Sequence, residues 1–207
     1  MKIAILLYDK YMALDVVGPY QVLSFLPETE VCLTGLEPGL YKDEFGMRLY
    51  ANYSIADMPS PDVIVVPGGF GINNVLNNTQ IIEWLKKANE TSLYTTSVCS
   101  GALLLASAGL LNGRRATTYW NRKEQLKSYG VEVVNERYVK DGKIITSAGV
   151  SAGIDMTLYL AALLKGEDFA KIVQLGIEYD PQPPFDCGTP DKAPRDLVEK
   201  IKIKSKK

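Results

Sequence analysis

Histidine is missing altogether from the 207 residues. Its absence excludes the Ser-His-Asp and Cys-His triads, the imidazole general base and any histidine metal ligand, so catalysis on this chain has to run on other groups. Cysteine is scarce, and Cys32, Cys99 and Cys187 are odd in number and far apart. That spacing offers neither a disulfide framework nor a zinc site, and no metal is expected. Charge of one sign is missing too: 23 Lys and Arg stand against 24 Asp and Glu. A net charge of -1 gives no field for nucleic acid or an anionic membrane, and neither is expected as a partner. No apolar run approaches the roughly 18 to 20 residues needed to cross a bilayer. Residues 3–8 are apolar, but Asp9 and Lys10 follow with no cleavage site, so the segment reads as a first strand rather than a leader. A reducing, cytoplasmic location is expected.

What is present is ordinary globular material, 46% apolar and 23% charged, enough for one core and one domain over 1–207. Short apolar runs at 3–8, 31–33, 63–66, 93–96 and 143–146 alternate with segments of helical period. That is the pattern of buried parallel strands joined by crossover helices, an α/β fold. Pro19 suits a first helical turn, which predicts a helix from about Gly18 with Asp15 just ahead of it. Weak alternation around 47–53 predicts a small β excursion. Thr79 is the expected cap of a helix over 81–89. Further helices are expected over 100–110, 120–129, 151–164 and 168–176, with Asp141-Gly142 as a hairpin turn. Residues from about 195 to 207 are expected to form a solvated tail, lysine-rich at its end.

Two junctions carry chemistry. Cys99-Ser100 lies where a strand over 93–98 meets a helix, and a thiol there faces unpaired helix amides that favour a thiolate. A buried, inert cysteine is the competing reading. Val63 to Val66 run into Pro67-Gly68-Gly69, a glycine loop at the carboxyl end of another strand, where open α/β sheets bind ligands and bare amides meet developing negative charge. It lacks the residue order of a P-loop or a dinucleotide site.

These residues carry a resemblance. The Pro67-Gly68-Gly69 loop, the Ser97-Val98-Cys99-Ser100-Gly101 elbow and Asp15-Val16-Val17-Gly18-Pro19 together resemble the DJ-1/PfpI superfamily and, within it, the bacterial isocyanide (isonitrile) hydratases. Segments 108–118, 148–155 and 178–185 resemble the same branch, so the likeness covers nearly the whole chain. It implies a flavodoxin-like three-layer α/β/α sandwich with a mostly parallel sheet, a nucleophile elbow and a homodimer. Cys99 is then the nucleophile, with Asp15 beside it at a position where most of the superfamily has Glu and the hydratases have Asp. Ser100 stands where the branch has Thr, and Tyr119 where it has His. No histidine follows the cysteine as in PfpI-type peptidases, which disfavours proteolysis. The helix-turn-helix region of the regulator relatives is lacking as well.

The implied reaction needs no cofactor. Cys99 as thiolate attacks a small-molecule isocyanide, neutral Asp15 protonates the same carbon, and water converts the thioimidate to a formamide. Ser100 is expected to assist. Gly68, Gly69, Val150 and Trp120 are expected to bind substrate or its developing charge. Two other readings stand beside this one: a redox sensor with an oxidised Cys99, and glyoxalase or deglycase chemistry on α-oxoaldehydes.

Overall fold

The computed structural model describes residues 1–204. β1 (Lys2–Leu6) leads into α1 (Ala13–Leu23) and returns to β2 (Glu30–Gly35), which pairs parallel to β1. The expected β excursion is an antiparallel hairpin of β3 (Gly39–Lys42) and β4 (Arg48–Ala51), followed by the short β5 (Tyr53–Ser54). β6 (Val63–Val66) pairs parallel on the other side of β1. Next come α2 (Ile72–Val75), α3 (Thr79–Thr91), β7 (Tyr94–Ser97) and α4 (Gly101–Ser107). β8 (Arg115–Ala116), a 3-10 turn (Trp120–Arg122), α5 (Lys123–Lys127) and β9 (Glu132–Val133) link these to the hairpin of β10 (Tyr138–Asp141) and β11 (Ile144–Ser147). α6 (Ala152–Lys165), α7 (Glu167–Gly176) and α8 (Arg195–Lys204) complete the described chain.

The main sheet has seven strands in the order β10-β11-β7-β6-β1-β2-β5. All its pairings are parallel except β10 with β11. The five central strands run 2-1-3-4-5 in chain order, the flavodoxin-like arrangement, and the chain reverses direction of winding between β1 and β6. α1 packs on α6 and α6 on α7, while α4 packs with α2, α3 and α5, giving helices on both faces. β6 is buried at every residue, which is why its sequence is an unbroken apolar run rather than an alternating one.

Several boundaries differ from expectation for local reasons. α1 begins at Ala13, and Pro19 lies inside it. A proline there removes one helical hydrogen bond, the one that would end on the Asp15 carbonyl. The cap of α3 is Asn78, whose Oδ1 accepts from the Ile81 amide at 3.1 Å, and the helix starts at Thr79 rather than using it as the cap. α4 stops at Ser107, with Gly109 in the left-handed region. The expected helix over 120–129 divides into the 3-10 turn and α5. Of the expected tail, Arg195–Lys204 is helical, and residues 205–207 lie outside the described residues. No described helix is long and apolar enough to cross a membrane.

Candidate active site at the strand-to-helix elbow

The carboxyl ends of β1, β6 and β7 deliver three segments to one crevice. β7 pairs Ser97 with Val66, and Val98 then donates its amide to the Val66 carbonyl at 2.9 Å. At Cys99 the chain turns sharply, with φ of 58°, a conformation that a side chain with a Cβ adopts at a cost of about 1 kcal/mol. The Gly101 amide closes the turn on the Val98 carbonyl at 2.9 Å. The Cys99 carbonyl is pinned from outside by the Thr118 hydroxyl at 2.8 Å and the Tyr119 amide at 3.3 Å. The elbow is held from both ends, and Cys99 is only 5% exposed.

The glycine loop supports the site in a way the sequence did not anticipate. The Gly68 amide donates to Asp15 Oδ2 at 2.9 Å, and the Gly69 amide donates to the Ser100 hydroxyl at 3.1 Å. These amides are therefore not bare donors awaiting an oxyanion, because side chains of the chain itself already occupy them. Gly68 has to be glycine on steric grounds: a Cβ there would lie 2.5 Å from the Ser100 amide nitrogen and 3.0 Å from Asp15 Oδ2. The same loop is tied to the start of α1 by the Met12 amide, which donates to the Gly68 carbonyl at 2.9 Å.

Asp15 is fully buried, and its second oxygen, Oδ1, has no hydrogen-bond donor. The group beside it is the Cys99 thiol. Burial pushes the Asp15 carboxyl up to about 7, against the opposing pull of the Gly68 amide and of hydrogen bonding to Cys99. Cys99 is also pushed up, by burial first and the Asp15 charge second, while the Ser100 amide and hydroxyl pull it down. Desolvation thus outweighs the helix amides, and the sulfur is not a free-standing anion as its position at a helix start suggested. Carboxyl and thiol behave as a coupled pair that holds one proton between them once the first has left.

Cys99 and Ser100 open onto a cavity of about 220 Å³ lined also by Met12, Gly69, Phe70, Tyr119, Arg122, Val150 and Ile201. Of the residues expected around substrate, Gly69 and Val150 are in this wall. Gly68 lies behind it, on Asp15. Trp120 lines a larger neighbouring cavity instead, together with Thr118, Lys123 and Arg137, and meets the Cys99 side through Tyr119, by a tilted ring contact and a side-chain hydrogen bond. Sequence reasoning passed over Met12, Phe70, Arg122 and Ile201. Phe70 had a signal, since it directly follows the glycine loop, whereas Ile201 comes from α8 with none. Cys32 is buried and Cys187 exposed, both away from this wall. Among the described residues no group of three His, Cys, Asp or Glu side chains is placed to hold a metal ion.

An α/β sheet with a strained cysteine elbow and a buried acid at its switch point defines a class, and the chain belongs to the DJ-1/PfpI family, whose model matches residues 1–163. It is 40% identical to the isonitrile hydratase of Pseudomonas putida over 202 residues, 98% of this chain and 89% of that protein. Among solved structures, a ThiJ/PfpI family protein from Pseudomonas syringae superposes with a TM-score of 0.94 at 30% identity, covering 98% of this chain and 84% of that one. Drosophila melanogaster DJ-1beta shares the fold, with a TM-score of 0.80 at 23% identity over 87% of this chain and 98% of that one.

Proposed function

We propose that this chain hydrates isocyanides to N-substituted formamides, with Cys99 as nucleophile and Asp15 as the group that moves the proton. The observation that carries the reading is the Asp15 carboxyl: fully buried, held on one oxygen by Gly68, without a hydrogen-bond donor on the other, and beside the elbow thiol. The likeness to the P. putida isonitrile hydratase supports it.

An isocyanide carbon is electrophilic toward sulfur and becomes basic on attack. Proton transfer within the pair gives thiolate and carboxylic acid. The sulfur forms its bond to the terminal carbon, and Asp15 gives its proton to that same carbon, leaving a thioimidate and a carboxylate. Water then adds across the C=N bond, its hydroxyl to carbon and a proton to nitrogen. Collapse breaks the C–S bond, expels the formamide and returns one proton to the Cys99–Asp15 pair. No electrons are exchanged, so the sequence needs no oxidant or reductant. Ser100 serves as a positioning residue, because its hydroxyl accepts from the Gly69 amide.

Reduced protein assayed with para-nitrophenyl isocyanide and, in parallel, with methylglyoxal tests the reading. Formamide production from the first compound, lost in Cys99→Ala, supports it. Turnover of methylglyoxal alone overturns it in favour of glyoxalase chemistry, and turnover of neither favours the redox-sensor reading. We place the protein in the reducing cytoplasm, where the thiol persists, and as a homodimer. Support for the second copy comes from exposed Ile172 and Leu175 on α7, with exposed Phe25 beside Gly176 at the end of that helix. Sedimentation of the wild type against Leu175→Glu checks the assembly.

A further inference from the structure

We propose that the isocyanides this cavity selects carry a carboxylate, and that Arg122 is the residue that selects them. The inference rests on the hydratase reading and adds the charge class of the substrate. The cavity of about 220 Å³ compares with the roughly 150 Å³ that accommodates benzene in an engineered protein cavity. It therefore has room for the isocyano group and one ring-sized or branched apolar substituent, against walls of Met12, Phe70, Val150 and Ile201. Arg122 is the one cationic side chain among the described residues of that wall.

Its surroundings set it apart from the other arginines between residues 114 and 137. Arg114 closes on Asp141, Arg115 on Glu136 and Arg137 on Asp155. Arg122 donates to the neutral Gln125 Oε1 at 3.2 Å and makes no ion pair among the described residues. A guanidinium has five donors in a fork that matches a carboxylate, and one amide oxygen leaves most of that capacity unspent. Holding a half-buried cation against apolar walls costs desolvation, and a neutral substrate would return nothing for it. An anionic substrate needs the cation, because the Cys99–Asp15 pair at the floor already carries negative charge. Both ends of the cavity act on one point: the Tyr119 hydroxyl feels the Cys99 charge and the Arg122 charge, with opposite sign. A substrate whose carbon meets the sulfur therefore extends through the field of Arg122.

The test compares 3- and 4-isocyanobenzoate with neutral para-nitrophenyl isocyanide, nitro being the uncharged isostere of carboxylate. The quantity read is the ratio of kcat/KM for the better benzoate to that for the nitro compound, so that intrinsic reactivity cancels between enzymes. In Arg122→Gln the ratio falls about tenfold or more, chiefly through the KM of the benzoate, and Arg122→Lys recovers part of it. In the wild type, raising NaCl from about 20 to about 500 mM lowers the same ratio several-fold, a readout that needs no variant to fold. A ratio unmoved by both the substitution and salt overturns the proposal. Failure of the wild type to hydrate any of the three compounds defeats the hydratase reading itself, and this inference with it.

Discussion

Replacing Asp15 by Asn should change how the stability of the protein depends on pH, and by an amount the site allows to be worked out. The carboxyl stands at about 7 in the folded chain against 3.8 for an exposed aspartate. A group whose folded value lies above its unfolded one stabilises the fold fully when protonated in both states, below pH 3.8, and loses that contribution as pH rises through about 7. Each pH unit separating the two values is worth about 1.4 kcal/mol, so the ionised carboxylate costs the folded state about 4 kcal/mol at pH 8.5 relative to pH 3.8. Asparagine keeps an acceptor for the Gly68 amide but has nothing to titrate. Urea unfolding of reduced wild type and Asp15→Asn at half-unit steps from pH 4 to 8.5 should therefore give curves that diverge. The Asn variant gains on the wild type with increasing pH, by up to about 4 kcal/mol, most steeply between pH 4 and 7. Parallel curves would refute the argument, since Asp15 would then ionise as readily inside the protein as outside it.

The same pair fixes the pH profile of catalysis: kcat/KM should rise about tenfold per pH unit below pH 7 and level off above it, as the first proton leaves and the one-proton state forms. A rate that declines from pH 6 to 8 would contradict this. Cys99→Ala should abolish turnover, while Cys99→Gly, equally inactive, should be about 1 kcal/mol more stable than the alanine variant because glycine relieves the positive φ at that position. Equal denaturation midpoints for the two would mean that the elbow holds no strain. Gly68→Ala should lower kcat at least a hundredfold in a folded protein, by displacing Asp15 and Ser100 together, as circular dichroism and steady-state rates would show. Ser100→Thr should retain most activity because it keeps the hydroxyl on the Gly69 amide, whereas Ser100→Ala should not; equal loss in both would remove the positioning role.

The central sheet was legible because buried parallel strands leave continuous apolar runs, as at β1 and β6, while β7 stands where it was expected although its buried residues are Thr95, Thr96 and Ser97. The elbow was legible for the same reason, as a strand pattern that gives way to helix at Cys99-Ser100. Helix boundaries were less so. Pro19 pointed to a first turn, yet packing of α1 against α6 overrides that preference and carries the helix through the proline. Asn78 took the cap from Thr79 because the chain is extended at Asn78, a conformation no single residue type announces. The upward push of burial on Cys99 was not legible, because dipole and hydrogen-bond arguments are local, whereas burial depends on everything packed around the sulfur. The distant contributors to the cavity, Arg122 and Ile201, were invisible for a related reason: they come from the 3-10 turn before α5 and from α8, and only the folded chain brings those elements to the elbow.

Consecutive amides of a single loop hold the acid and the serine next to the nucleophile, so these two groups share one jig, and that constrains how such a site can change over time. A substitution that shifts the two successive peptides ending in the Gly68 and Gly69 amides misaligns both at once, and restoring either partner alone brings back little. Damage at Asp15, Ser100 and the loop should therefore combine far from additively. Lineages that alter the chemistry should replace the three as a set, while the walls of the cavity vary one side chain at a time.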